Sequence, residues 1–332
     1  MKRLGLLVGE ENWTHFRDIA DDLSSHYRTS VYRPRVHRWP ILNERVNVWS
    51  RRSALRDMLR RNDVCFFEWA SDLLMTASRL PRKAALVTRL HSFELYAWAP
   101  LVDWASVDRV ILLSEAIRRI FADTYPAQAS KAVVVSNGVS LERFRPEGRR
   151  AFAFTVGMLC GISPVKRVYE MILTHYQLRC LGHPVHLHVG GGIPSGDERY
   201  GAAVHGLVRR LGLGESVTFH GPVADTPAWL RGIDMFVSNS YWEGQQVVLL
   251  EAMVSGCYCL SHGWLGVDEV LLVPNLYTTE DQLIGKIVEY AGMSEAERGR
   301  RQRELRDVAC ARFDLDDTKR RIREEVAAVV RQ

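Results

Sequence analysis

Long apolar runs are missing from these 332 residues. A bilayer-spanning helix needs ~18–20 consecutive apolar residues, and no stretch approaches that length. A secretory signal is missing too. Met1-Lys2-Arg3 is followed only by Leu4 to Val8 before Gly9-Glu10-Glu11, short of the roughly 7–15 apolar residues of a signal core. A cytoplasmic protein is expected. Cysteine is scarce: Cys65, Cys160, Cys180, Cys257, Cys259 and Cys310 form no C-x-x-C pair. That excludes a disulfide framework and leaves buried small hydrophobes as the reading of these thiols. There is no repeat of fixed period and no low-complexity tract. The G-x-S-x-G, H-E-x-x-H and G-x-x-x-x-G-K-[ST] patterns are absent, and with them three familiar routes to hydrolysis or phosphoryl transfer.

What is present is ordinary in bulk. Apolar types make up 47% and charged types 25%, as in an average soluble protein. The length suits two domains. The formal net charge of +5 is unevenly spread: residues 1–150 hold 25 basic and 17 acidic side chains, the remainder 19 and 22. A basic first half points to an anionic partner, nucleic acid or an anionic membrane surface.

Short apolar runs alternate with helical periodicity. Leu4-Gly5-Leu6-Leu7-Val8-Gly9 reads as a buried parallel strand and its loop. Strands at 64–67, 85–87, 109–113 and 132–135 follow, with a helix over 13–27 and others between. The pattern restarts after Arg145-Pro146-Glu147-Gly148. It predicts strands at 152–156, 185–189, 217–219, 235–237 and 258–260, and helices over 166–181, 198–211, 225–231 and 246–255. The alternation predicts an α/β protein of two doubly wound domains. The last ~50 residues are rich in Arg and Glu at helical spacing and read as solvated helices.

Residues 28–61 hold ten arginines against Glu44 and Asp57, with Trp39 and Trp49 among them. Within 51–61, Ala54, Leu55, Met58 and Leu59 share one helix face. The segment is either an ordinary amphipathic surface helix or a basic, aromatic-bearing patch for an anionic membrane.

The strongest chemical signal is Tyr241-Trp242-Glu243-Gly244-Gln245-Gln246-Val247-Val248-Leu249-Leu250-Glu251-Ala252-Met253. Two glutamates stand eight apart, the second inside an apolar stretch. A loop entering a helix N-terminus fits this segment. Free backbone N–H groups there, near Gln246 and Val247, suit a phosphate. A glutamate a turn or more into the helix suits ribose hydroxyls, because an ionised carboxylate accepts two hydrogen bonds. An exposed glutamate and an ordinary helix cap account for the same residues.

With its Glu-Gly start and Leu-Leu-Glu-Ala-Met end, this E-x7-E segment resembles retaining glycosyltransferase family 4, of GT-B fold. Further stretches resemble the family in the right order: Val135-Ser136-Asn137-Gly138-Val139-Ser140-Leu141-Glu142-Arg143-Phe144, Ser163-Pro164-Val165-Lys166-Arg167, Phe219-His220-Gly221-Pro222-Val223 and Ile233-Asp234-Met235-Phe236-Val237-Ser238-Asn239-Ser240. The resemblance covers about 130–270. It implies two Rossmann-like domains facing a cleft: 1–148 on the acceptor side, 149–310 on the nucleotide-sugar side, and a terminal helix at 311–332 packing back on the first domain. It also implies roles. Lys166 neutralises the departing diphosphate, Glu251 holds the ribose, and Glu243 holds the hydroxyls of the transferred sugar. Backbone N–H groups at Gln246, Val247 and Val248 hold the β-phosphate. Gly9 lets its loop approach the donor. His91, in Leu90-His91-Ser92-Phe93-Glu94, matches the histidine that contacts the donor sugar; taken alone, it reads as structural.

Three departures from the family stand out. The arginine usual a few residues before the lysine falls on Gly161, or on Met158 in another alignment, so that one diphosphate contact is missing or Arg167 supplies it from another angle. Gln246 replaces a glycine, and the loop after Gly263-Trp264-Leu265-Gly266-Val267-Asp268-Glu269 is short. Gly190-Gly191-Gly192 follows a strand as a phosphate loop does, yet lacks the nicotinamide fingerprint. His183, His186 and His188 have no acid or cysteine to complete a metal set. The expectation is therefore transfer of a sugar from a nucleotide-diphosphate donor to an acceptor hydroxyl, in surface polysaccharide or glycolipid synthesis at the inner membrane face. No metal or other cofactor and no nucleic acid is expected, and residues 28–61 are the candidate membrane contact. The alternatives are a GT-B nucleotide-sugar epimerase and a catalytically weak sugar- or membrane-binding relative.

Overall fold

The computed structural model describes residues 1–8, 13, 16–34, 43–148 and 151–330. Gly9, Arg35, Arg38 and Trp39 lie outside them. The chain forms two compact units, Met1–Ser136 with Asp316–Gln332, and Asn137–Leu315. The division falls at 136/137 rather than at the expected 148/149. The segment after Asn137 is held by the second unit: Val139 bonds through its backbone to Phe313 and Leu315, and Phe144 lies in that unit's core.

The first unit is a parallel sheet of β1 (Arg3–Leu7), β2 (Arg28–Val31), β3 (Val64–Phe67), β4 (Ala85–Leu90), β5 (Arg109–Leu112) and β6 (Ala132–Val134) in the order β2-β1-β3-β4-β5-β6. Side chains alternate across the pleat. Leu7, Cys65, Phe67, Leu86 and Leu112 share one core with Leu55 and Leu59. Leu4, Leu6, Val64, Phe66 and Val87 share the other with Phe16, Leu23, Ile322 and Val326. The helix Leu315–Val329 thus supplies part of this unit's second layer. Arg323 pairs with Asp22 at 2.5 Å, and Arg109 with Glu325 at 3.1 Å. The edge strand β2 escapes sequence reading because Arg-Thr-Ser-Val carries no apolar run.

The arginine-rich segment is a helix, Asn43–Arg61. Its apolar side chains Leu55 and Leu59 are buried in the sheet-covering core, so that face is not open to a membrane. Val48 and Trp49 remain exposed, at 61% and 69%. Among the described residues no helix is long and apolar enough to cross a membrane.

The second unit is a parallel sheet of β7 (Thr155–Leu159), β8 (His186–Gly190), β9 (Val217–Gly221), β10 (Met235–Ser238), β11 (Tyr258–His262) and β12 (Leu276–Tyr277) in the order β12-β11-β10-β7-β8-β9. Read from its other edge, this is the Rossmann order 3-2-1-4-5-6. β7 begins three residues later than the apolar run at 152 predicts. Phe154 adopts a left-handed φ of +54°, which ends extension there, and Phe152 and Phe154 instead pack ring to ring at 5.4 Å. Gly190-Gly191-Gly192 is a packing device: Cys160 N–H donates to Gly190 O and Ile162 N–H to Gly192 O. A Cβ at Gly191 would sit 1.9 Å from Cys160 O. The triplet thus clamps the loop that leads to Lys166.

Candidate active site

In open α/β sheets, ligands bind beyond the carboxyl ends of the strands, where the strand order reverses. In the second unit that point lies between β7 and β10. The loop after β7 carries Lys166 and Arg167; the loop after β10 carries Asn239 to Gln246 and enters the helix Val247–Val254. Topology therefore brings together residues some eighty positions apart.

Lys166 ends a single 3-10 turn, Pro164–Lys166, and Arg167 turns the chain at a left-handed φ of +52° before the helix Val168–Cys180 begins. The predicted helix start at 166 is displaced by that turn. Lys166 Nζ lies 2.5 Å from Glu243 Oε1, and both side chains keep some solvent access, 22% and 13%. Ser240 Oγ donates to the same oxygen at 2.7 Å. Tyr241 N–H donates to Val165 O at 2.9 Å, which ties the two loops together.

Arg167 points elsewhere. Its buried guanidinium pairs with Glu280 and lies 4.8 Å from the centre of the Tyr241 ring. Its backbone oxygen accepts from Asn239 Nδ2 at 3.0 Å, and Asn239 Oδ1 accepts from Tyr277 at 2.7 Å. Nε and Nη1 have no hydrogen-bond partner. Sequence reasoning missed Glu280, Tyr277 and Asn239, because nothing in spacing links residue 167 to residue 280.

Gln246 caps the helix Val247–Val254 without a side-chain bond, and its buried Oε1 has no partner. The first N–H groups of the helix have no intrahelical acceptor. Glu251 stands one turn beyond Val247 on the same face. Burial raises its carboxyl to about 7, with Arg143 opposing. Gln245, to which the sequence assigned nothing, accepts from Asn137 N–H at 2.6 Å while its carbonyl accepts from Asn137 Nδ2 at 3.3 Å. It anchors the Asn-Gly stretch to the E-x7-E loop.

In the first unit, His91 follows β4 and precedes the helix Ser92–Ala97. Its ring stacks on Trp69 at 4.0 Å, and its Nε2 lies 3.6 Å from Glu68. Glu68 accepts from Arg89 at 2.6 Å in a buried pair. Glu94 Oε2 accepts the His91 backbone N–H at 2.7 Å. Burial lowers the His91 pKa, partly offset by Glu68, so the ring is neutral near pH 7. Burial raises Glu94 to about 8.

His188 Nδ1 and His220 Nε2 are 3.0 Å apart, and His186 bonds to Thr218. Among the described residues no group of His, Cys, Asp or Glu is placed to hold a metal.

Comparison with known proteins follows the same division. Residues 15–143 match Glycosyltransferase Family 4, and residues 153–289 match Glycosyl transferases group 1. The chain is 31% identical over 173 residues to D-inositol 3-phosphate glycosyltransferase 2 of Catenulispora acidiphila, covering 46% of this chain and 39% of the relative. It is 27% identical over 202 residues to alpha-monoglucosyldiacylglycerol synthase of Streptococcus pneumoniae, covering 55% and 44%. It thus spans roughly half or less of these relatives' lengths. Among solved structures, Anabaena HepE in complex with UDP and glucose superposes with a TM-score of 0.81 at 18% identity, covering 98% of this chain and 100% of that one. Sucrose-phosphate synthase of Thermosynechococcus elongatus gives 0.79 at 14%, covering 99% of each. At such identities the likeness is one of fold. The two domain matches and the two Rossmann-like sheets together place the chain among the GT-B glycosyltransferases.

Proposed function

We propose that the chain is a retaining glycosyltransferase of family 4 that moves a sugar from a nucleotide-diphosphate donor to an acceptor hydroxyl, in glycolipid or surface-polysaccharide synthesis. One observation carries this: a lysine, a glutamate and an open helix N-terminus converge at the switch point of the second sheet, with Glu251 one turn behind. A diphosphate seated on the N–H groups of Val247 and Val248 gains from the helix dipole. Lys166 then exchanges Glu243 for the phosphate oxygens and meets the charge that grows as the sugar departs. Glu243, released, accepts from the hydroxyls of the transferred sugar. Glu251 accepts from the ribose. Arg167 supports the site by fixing the loop through Glu280 and Tyr241. Charge neutralisation by Lys166 and the helix end needs no metal, and retention follows from front-face attack through an oxocarbenium-like state.

HepE was solved with UDP and with UDP-glucose, so UDP-sugars are the first donors to test. Ligand-observed NMR against UDP-, GDP-, ADP- and dTDP-sugars should find one donor that binds. Glu251→Ala should lose it. Absence of binding by every donor sinks the proposal and moves the non-catalytic alternative forward. Peripheral attachment is assigned to the exposed Val48 and Trp49 beside the arginines of their helix. Flotation with anionic vesicles at low salt checks it, and Trp49→Ala should lower the bound fraction.

A further inference from the structure

The candidate site occupies the carboxyl end of the second sheet. A separate recess of about 270 Å³ lies at the opposite, amino end. Phe152, Asp234 and Gly256 line it, and each shortly precedes a strand, β7, β10 and β11 in turn. One wall is a single face of the helix Glu295–Arg312: Glu295, Arg298, Gly299, Gln302, Arg303 and Arg306 follow the spacing of such a face. Arg231, at the end of the helix Thr226–Arg231, brings the arginines to four. Neutral groups hold two of them in place. Arg298 donates to the carbonyls of Ala291, at 3.2 Å, and Met293, and its guanidinium lies 4.3 Å from the centre of the Phe152 ring. Arg306 Nε donates to Val254 O at 3.2 Å. Arg303 is exposed, with Nη1 lying 3.3 Å from where a Cβ on Gly299 would stand. Among the described residues no carboxylate pairs with Arg298, Arg303 or Arg306. Elsewhere on the same helix the charges are matched, as Arg301 pairs with Glu304 at 3.4 Å. The three carboxylates on the lining are engaged. Glu147 pairs with Arg231 at 3.5 Å. Asp234 Oδ2 accepts from the N–H groups of Ala153 and Thr155 at 3.1 and 2.9 Å. Glu295 stands in the first turn of its helix, where its charge meets the dipole.

We propose that this recess binds a small phosphate-bearing anion, of the size of pyrophosphate or a monosaccharide phosphate. A guanidinium stays charged at any working pH, and its planar fork matches phosphate oxygens two at a time. Residues three apart are neighbours on a helix face, so the like charges of Arg303 and Arg306 repel. A bridging anion removes that repulsion. Arg298 and Arg306 are oriented in advance by the carbonyls they hold, so less side-chain freedom is lost when the anion arrives. A neutral ligand would leave three unpaired cations in place. The volume falls just under the roughly 300–1,000 Å³ of drug-sized sites, which suits a small anion better than a whole nucleotide sugar. The recess is thereby distinct in size, charge and position from the donor seat beyond β7 and β10.

Titration calorimetry of the full chain with pyrophosphate and with glucose 6-phosphate tests this, in the presence of saturating UDP to fill the proposed donor seat. At least one of the two anions is expected to bind, at one site per chain. Arg303→Ala removes an exposed guanidinium and should weaken that binding about tenfold, as loss of a charge-assisted bond does. Arg231→Ala should weaken it severalfold. Arg300→Ala, on the same helix but outside the recess, should leave it within twofold. Tighter binding of pyrophosphate identifies a bare diphosphate as the ligand class, and tighter binding of glucose 6-phosphate a sugar phosphate. Equal losses in Arg303→Ala and Arg300→Ala reduce the effect to general surface charge and overturn the proposal. Binding that Lys166→Ala abolishes and Arg303→Ala leaves intact places the anion in the donor seat and overturns it too. Absence of binding by both anions overturns the recess and leaves the donor site standing.

Discussion

The two switch points of this chain are built alike and polarised differently. Beyond β7 and β10, the lysine is already paired, with Glu243 at 2.5 Å. Beyond β1 and β3, Trp69 and Glu94 each keep a buried atom with no partner. The first arrangement exchanges partners: a ligand must displace a carboxylate to reach Lys166. The second holds no such exchangeable pair: Glu94 accepts the His91 backbone N–H through Oε2, and its buried Oε1 has no partner. Exchange suits an anion that must leave again after the reaction, because Glu243 recovers the lysine.

The sharpest way to break this contrast is Lys166→Ala. Removing the charge that meets the departing diphosphate should cut kcat by about 10²–10³. Steady-state kinetics with the donor identified by NMR measures it. Lys166→Arg should recover little, because a planar fork does not replace a compact ammonium. An unchanged kcat in Lys166→Ala would remove the lysine from the departing charge.

Glu251 comes next. Glu251→Gln should weaken donor binding about tenfold, as loss of a charge-assisted bond does. With its carboxyl at about 7, donor affinity in the wild type should rise from pH 6 to pH 8 as the carboxylate forms. The glutamine variant should be flat over that span. Titration calorimetry at three pH values decides it.

Glu243→Gln carries an opposite sign. Freed from its carboxylate, Lys166 should bind UDP alone about fivefold more tightly, while turnover of the UDP-sugar falls. Unchanged UDP affinity would mean that the ion pair does not restrain the lysine, and the exchange idea would fail.

Much of the fold was legible because parallel strands buried on both faces read as apolar runs. Val64–Phe67 was predicted at its observed bounds, and the helices at 198 and 226 came within a residue or two. The failures have local causes. The polar edge strand Arg28–Val31 shows no run, and Phe154 breaks a convincing alternation with a single positive φ. At the site, Lys166, Glu243 and Glu251 were legible from spacing and family resemblance. Arg167 was assigned to the diphosphate, yet in this structure it pairs with Glu280. Glu94 stood in the sequence three residues from His91 without a role. Its significance depends on burial and on an unbonded oxygen, which no spacing displays.

The smallest effect bears on Glu94 itself. Glu94 has a folded pKa of about 8 against an ordinary 4.5, so the native state holds a proton that the unfolded state has released. Stability therefore falls as pH rises from 4.5 to 8. Other groups share part of that window. Glu251 contributes a fall of the same sign up to about 7. His91, its pKa lowered by burial against Glu68 and Arg89, contributes a rise with pH below 6.5. Between pH 7 and 8 the slope left belongs chiefly to Glu94. It should amount to about 1 kcal/mol across that unit, since one full proton is ~1.4 kcal/mol per pH unit. In Tm this is roughly 2–4 °C for a unit of this size. Glu94→Gln should remove the slope, and thermal unfolding of both proteins at pH 7.0, 7.5 and 8.0 shows whether it does. A slope that persists unchanged in Glu94→Gln would place the titrating group elsewhere and leave Glu94 ionised at neutral pH.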